Sequence, residues 1–406
     1  MTEILLASSV IVLLLMGLTL GLVLARQRLI PQEAALVIVN DTTEIEAGRG
    51  DKLLTVLHGA GIGIPAACGG SGTCGLCRVT AEGPGVGQPQ ATERGILSAA
   101  ERRAHVRLAC QVTLRGAATV TVGGDVLDAA SFACRVESNR QLAPLIRELV
   151  LAVPDGREID FRAGGFMQLS APPYRLDFAS IDIDPAYEQE WQIAGWPPIR
   201  AVSAERVTRA YSVANRPQDA GRLVFNIRLA VPPAGREGEV PPGVVSSWLF
   251  ARSRGDSVDV SGPFGDFFVQ PTGREMVLIG GGVGMAPLRA MIHDEAARGA
   301  ARKMTFFYGA RSRIDLFYVE EFAALAAKRP AFRFVPALSD PAPGDRWTGE
   351  TGFIHETVRA HLARHPAPED CEYYLCGPPV MISAVIGVLE SLGVEQGNIF
   401  NDDFGV

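Results

Sequence analysis

The sequence predicts a multidomain protein: one apolar N-terminal transmembrane helix, an α+β unit, an antiparallel β-barrel, and an α/β unit built on a parallel sheet. Three observations predict this. Ile4 to Ala25 carries no charge; short β-like runs broken by turn residues fill the middle of the chain; and strand and helix patterns alternate from about residue 275 onward. The chain has 406 residues, room for two to three domains. The boundaries are read at 1–30, 31–129, 130–272 and 273–406.

Composition narrows the partners. Hydrophobic residues make up 47% and charged residues 20%, which excludes a disordered chain. A net charge of −7 excludes a nucleic-acid partner held by phosphate neutralisation. The 44 Gly and 27 Pro follow no period, so the protein is not fibrous.

Ile4–Ala25 spans about 33 Å as a helix, enough for a ~30 Å hydrocarbon core. Met1–Glu3 has no basic residue, and the apolar run exceeds a signal peptide's usual ~7–15 residues, so an uncleaved anchor is expected. Arg26 and Arg28 follow the span, and Glu3 is the one charge before it. The positive-inside rule then puts the body in the cytoplasm, beside a membrane crossed once.

In the second unit, residues 36–42 and 43–48 read as a hairpin and Asp51–Ala60 as a helix ending at Gly61. Cys68, Cys74 and Cys77 follow on one glycine-rich loop, and Cys110 comes after 32 intervening residues. Four thiolates, two for each iron, are what a [2Fe–2S] cluster requires. A zinc site prefers two C-x2-C pairs, and only one is present here. The set resembles ferredoxins, with five residues between Cys68 and Cys74 where the plant type has four.

The third unit shows β-like runs at 133–137, 148–153, 166–169, 222–230 and 257–261. Arg209-Ala-Tyr211-Ser212 sets a cation, an aromatic face and a hydroxyl on one strand, and the run Phe225–Leu229 adds Arg228. Gly243-Val-Val-Ser246-Ser247 opens a helix, where backbone N–H groups suit an anion. In this order the motifs resemble the ferredoxin–NADP reductase family. That resemblance implies FAD, with the first motif on the flavin ring and phosphate and the Gly-x-x-Ser-Ser loop on the pyrophosphate.

In the last unit, strands read at 276–279, 304–308, 332–338, 373–375 and 398–400, with helices at 286–299, 319–328, 353–364 and 378–392. Gly280, Gly281, Gly282 and Gly284 sit at the first strand-to-helix turn, where a dinucleotide pyrophosphate can approach the backbone. Cys376-Gly377-Pro lies at another strand end, and in the reductase family this motif lies beside the nicotinamide. Cys134 and Cys371 read as buried structural thiols. Arg311, Ser312 and Arg313 follow the second strand, where arginines suit a 2′-phosphate and Asp315 suits a ribose hydroxyl; charge alone does not choose between NADPH and NADH.

A hydride brings two electrons, a flavin can release them singly, and a [2Fe–2S] cluster carries one at a time, so the units form an electron-transfer chain. Arg162-Ala-Gly-Gly165, Ser261-Gly-Pro-Phe-Gly265, Tyr308-Gly-Ala-Arg-Ser312 and the tail from Asn401 to Val406 make the resemblance narrower. With the anchor, the whole chain resembles the family of F subunits of the bacterial sodium-translocating NADH:quinone reductase. The resemblance implies NADH as donor, FAD and [2Fe–2S] as cofactors, and partner membrane subunits that reduce ubiquinone and move sodium. It also implies that Phe404 lies against the flavin and gates the nicotinamide, alongside Ser212 and Cys376 at the site of hydride transfer. The alternative is the NADH-dependent reductase of an aromatic-ring monooxygenase or dioxygenase, which would need no anchor. The acidic stretch Tyr174–Trp196 lacks strand alternation and reads as an insertion in the barrel, either a solvated loop or a docking surface or lid.

Overall fold

The computed structural model describes residues 34–403 except 67, 124–129, 220, 237, 300 and 301, together with Leu14 and Met16–Thr19. Most of the expected membrane helix and all of Phe404 lie outside the described residues. Among the described residues, no helix is long and apolar enough to cross a membrane. The chain forms two compact units: Met1–Ala60 with Arg78–Val122, and Gly61–Cys77 with Gly123–Val406.

The first unit is built on a five-stranded sheet of β1 (Ala35–Val39), β2 (Thr43–Ala47), β3 (Arg78–Glu82), β4 (Val106–Leu108) and β5 (Ala118–Thr121), in the order β2-β1-β5-β3-β4. The expected first strand stops early. Asn40 and Asp41 take left-handed φ angles of 48° and 57°, a turn that short polar side chains tolerate. Asn40 also bridges to Val122, accepting from its N–H at 2.8 Å and donating to its carbonyl at 3.1 Å. Val37, Val39 and Val120 alternate inward and are buried, as are Leu53 and Leu57 of the helix Leu53–Gly59. Behind β4, Arg107 and Glu93 form a buried ion pair at 2.9 Å. Burial alone would raise the Glu93 pKa, but hydrogen bonds from Arg107 and from the Gln90 and Leu108 N–H groups hold it below its ordinary value.

The second unit contains a six-stranded antiparallel barrel in the order β11-β8-β13-β6-β7-β12. Its strands are β6 (Ala130–Ala143), β7 (Ile146–Ala152), β8 (Phe166–Ala171), β11 (Val207–Ser212), β12 (Arg222–Arg228) and β13 (Ser257–Phe264). A bridge between Val213 and Phe225 joins the two end strands. Every second residue points inward, giving a core that includes Leu149, Leu151, Met167, Leu169, Leu223, Phe225, Val258 and Val260.

The acidic stretch is not a solvated loop. It opens with β9 (Tyr174–Asp177), which pairs with β10 (Arg200–Ser203), and continues through a helix at Glu188–Ile193. Phe178, Ile181 and Trp191 pack with Ile199, Leu229 and Phe250 into a small core of their own. Trp191 Nε1 donates to the Pro144 carbonyl at 2.7 Å and the Tyr187 hydroxyl to Leu142 at 2.9 Å, so the segment is stitched to the β6–β7 turn.

The remaining sheet is wholly parallel: β14 (Met276–Gly281), β15 (Met304–Ala310), β16 (Phe332–Leu338), β17 (Glu350–Thr351), β18 (Glu372–Gly377) and β19 (Ile399–Asp403), in the order β17-β16-β15-β14-β18-β19. Met276 and Leu278 enter the core on one face, while Val277 and Ile279 enter the core on the other. Helices Met285–Ala297 and Val319–Lys328 supply the first core, and Ile354–Leu362 and Pro379–Ser391 the second. The winding reverses between β14 and β18, the switch point where such sheets bind ligands.

Candidate functional site

At that switch point two glycine motifs meet. Gly280 lies opposite Cys376 in the parallel ladder. A Cβ on Gly284 would fall 2.0 Å from the Cys376 carbonyl oxygen, so only glycine lets the turn rest on the end of β18. The Tyr308 hydroxyl donates to the Gly282 carbonyl at 3.2 Å and holds the turn from beneath. The last strand adds a carboxylate that the sequence reading missed. Asp402 is the β19 partner of Cys376, and the Ser212 hydroxyl donates to Asp402 Oδ2 at 3.4 Å. The structure therefore brings together Ser212, Cys376, Gly377 and the turn from Gly280 to Gly284. The sequence signal for Asp402 is a carboxylate just beyond the strand expected at 398–400, which in the structure extends to Asp403.

The barrel motifs gather a few residues away. Helix Val244–Phe250 begins at Gly243, whose N–H donates to the Ala230 carbonyl at 2.8 Å, two residues beyond the exposed Arg228. Ser246 Oγ accepts from the Ala230 N–H at 3.3 Å and donates to the Gly243 carbonyl at 3.2 Å, so that hydroxyl is engaged in the helix cap. Ser247 is fully buried. The Tyr174 hydroxyl donates to the Val244 carbonyl at 2.5 Å. Burial pushes the Tyr211 phenol upward against the pull of Arg209, leaving a neutral aromatic there. A cation, an aromatic face and a helix N-terminus in one neighbourhood fit a flavin nucleotide in chemistry.

The Arg209 guanidinium has a second neighbour. A Cβ on Gly69 would lie 2.2 Å from its Nη2, so the cysteine loop rests on this arginine. Gln168 of β8 is buried and donates to the Ile64 carbonyl at 3.1 Å, fixing the start of the same loop. Within the loop, Cys68 and Cys74 share a hydrogen bond that, with burial, raises the Cys74 thiol well above its ordinary value. Two thiols converging on one proton fit a metal that would replace it. Cys77 closes the loop, and Cys110 is buried in the first unit, where Gln111 Nε2 donates to its sulfur at 3.3 Å.

Arg311 pairs with Asp315 at 3.5 Å, and Asp315 also accepts from the Ser312 N–H and hydroxyl. Cys134 and Cys371 are buried, as the sequence suggested. Cys371 lies with Glu275 and His365 in a group whose donor atoms are within 4.8 Å of one another. There His365 Nδ1 accepts the Ala367 N–H, which leaves the proton on Nε2 to donate to Glu275 at 3.3 Å. That is a hydrogen-bonded cluster rather than a set of free ligands.

Three family models match parts of the chain. The family model for the 2Fe-2S iron-sulfur cluster binding domain matches residues 37–115, the oxidoreductase FAD-binding domain 198–269, and the oxidoreductase NAD-binding domain 278–386. The F subunit of the Na(+)-translocating NADH-quinone reductase of Methylococcus capsulatus is 46% identical over 94% of each chain. That of Neisseria gonorrhoeae is 44% identical over 99% of this chain and 100% of its own. Among solved structures, a cytochrome P450 reductase of Amycolatopsis is similar with a TM-score of 0.62 and 27% identity, over 91% of this chain and 98% of that one. A ferredoxin reductase in carbazole 1,9a-dioxygenase has a TM-score of 0.60 and 25% identity, over 92% and 99%.

Proposed function

The chain belongs to the family of F subunits of the Na(+)-translocating NADH-quinone reductase, and from that premise we propose how its residues divide the work. It is the electron-input subunit of an NADH:quinone oxidoreductase, with an FAD-binding, an NAD-binding and a 2Fe-2S domain. Held in these domains, FAD would supply the step from an electron pair to single electrons, and a [2Fe–2S] cluster would supply one-electron carriage.

The observation that carries the reading is the meeting of Ser212, from the flavin motif, with Asp402 beside Cys376, from the nucleotide motif. Ser212 and Cys376 flank the place where the two rings meet, and Asp402 orients the Ser212 hydroxyl. Gly280–Gly284 and Gly377 hold the pyrophosphate side of NADH. Arg209, Tyr211, Arg228, Gly243, Ser246 and Ser247 would hold FAD; Phe404, the remaining flavin residue of this reading, lies outside the described residues. Arg311, beside Asp315 at 3.5 Å, would line the ribose side of NADH. Cys68, Cys74, Cys77 and Cys110 are the cluster ligands.

The chain works in a membrane-associated complex. The uncharged run Ile4–Ala25 supports a single-pass anchor with the body in the cytoplasm, and Leu14, Met16 and Leu18 are helical and exposed, as lipid-facing residues are. Ubiquinone is the final acceptor, reached through partner subunits. The aromatic-ring oxygenase reductases share the fold, but the near full-length identity does not favour that reading. Purification of the tagged full chain from detergent-solubilised membranes tests it. Co-elution of membrane subunits with sodium-stimulated NADH:ubiquinone reduction is expected; co-elution of a soluble oxygenase, or an active chain wholly in the soluble fraction, would overturn it.

A further inference from the structure

We infer that Gln111 tunes the reduction potential of the [2Fe–2S] cluster, an inference that rests on the cluster reading above. Gln111 follows Cys110 directly and is 8% exposed. A primary amide so deeply buried needs partners for both ends. Its Oε1 accepts from the Thr92 hydroxyl at 3.0 Å, and its Nε2 lies 3.3 Å from Cys110 Sγ. The opposite orientation would set the amide oxygen against an electron-rich sulfur, so the N–H group faces the thiolate.

The amide is held in place from several sides. Gln90 Nε2 donates to the Gln111 carbonyl at 2.7 Å, and the Gln111 N–H donates to the Leu108 carbonyl at 2.8 Å. Gln90 caps the helix Ala91–Ile96, and Glu93 returns to the Gln90 N–H at 2.8 Å. Glu93 is itself clamped by Arg107 and by the Leu108 N–H at 3.0 Å. This frame keeps the Gln111 N–H on the sulfur in both oxidation states. An N–H aimed at a ligating sulfur favours the extra negative charge of the reduced form, so it raises the potential. Gln111 is thus a positioning residue for the second half of the electron path.

The test is an EPR-monitored redox titration of the full-length, cofactor-loaded chain carrying Gln111→Leu, which keeps a side chain of similar bulk and removes the amide N–H. At a fixed ambient potential the ratio of reduced to oxidised cluster should fall about three- to tenfold, where tenfold is ~59 mV for a one-electron couple. NADH oxidation with ferricyanide should stay unchanged. Thr92→Val, which frees the far end of the amide, should shift the midpoint less and in the same direction, with Thr92→Ser restoring it. Unmoved midpoints in cluster-loaded Gln111→Leu and Thr92→Val would overturn the inference. Should Gln111→Leu fail to retain the cluster, the Thr92→Val midpoint decides by the same criterion. A parent chain lacking a [2Fe–2S] signal would instead overturn the cluster reading itself, an outcome distinct from a normal signal with an unmoved midpoint.

Discussion

The nucleotide turn and the cysteine loop are both rich in glycine, yet each needs glycine for a different reason. At Gly284 the backbone is ordinary, with φ at −59°, but an added Cβ would strike the Cys376 carbonyl carbon and oxygen at 2.3 and 2.0 Å. Neither atom can move without shifting a central strand of the sheet. At Gly69 the obstacle is the far end of the flexible Arg209 side chain, and the requirement lies in the left-handed φ of 63°. One site is a contact between two fixed backbones. The other is a loop conformation resting on a side chain that can swing aside. The hydride site should therefore fail abruptly under substitution, and the cysteine loop by degrees.

The largest effect that can break this comparison is Gly284→Ala. It should lower NADH oxidation more than a hundredfold with ferricyanide as acceptor, because a displacement of about 1 Å in a reacting geometry can cost that much. The EPR signal of a chemically reduced cluster should persist. A variant with normal ferricyanide turnover would show that the turn can yield. Gly69→Ala should cost roughly 1–2 kcal/mol of local strain, seen as partial loss of cluster upon purification, with ferricyanide reduction intact. Equal loss in both assays would erase the distinction between the regions.

Acid sharpens the contrast by a smaller amount. Glu321 is held at about 2: burial opposes ionisation, but hydrogen bonds from His293 and Arg289 outweigh it. Arg289 also donates to the Ala214 carbonyl at 2.9 Å, linking the helix Met285–Ala297 to the barrel. A carboxylate with a lowered folded-state pKa contributes stability that is complete above its unfolded value of ~4.3. That contribution fades as pH falls toward about 2. Thermal denaturation of the parent chain and Glu321→Gln should differ above pH ~4.3 and converge below it; a constant gap down to pH 2 would contradict the assignment.

How much was legible follows from where the determinants lie. The parallel sheet was read almost strand by strand, because residues such as Met276–Ile279 are buried on both faces and stay apolar throughout. The cysteines were read by type and spacing. That Tyr174–Trp196 is an ordered unit and not a solvated loop is not legible, because its few core residues, Phe178, Ile181 and Trp191, are irregularly spaced and complete their core with Ile199, Leu229 and Phe250 from elsewhere in the chain. Asp402 and Gln111 are not legible for a related reason: Asp402 depends on Ser212, 190 residues away, and Gln111, though next to Cys110, depends on Thr92 of another helix to fix which end of its amide faces the sulfur. Spacing within one segment cannot show such pairs.

The central claim is that hydride transfer and cluster transfer are separable, the first needing only the barrel and the nucleotide unit. Cys110→Ala tests it most directly, since Cys110 belongs to the first compact unit and the proposed NADH and FAD residues belong to the second. In membranes holding the complete complex, two rates are to be measured side by side on this variant, NADH:ferricyanide and NADH:ubiquinone. The account predicts the first near the parent's value and the second abolished, because a [2Fe–2S] cluster needs four ligands for two irons. Normal ubiquinone reduction without the cluster's EPR signal would contradict it.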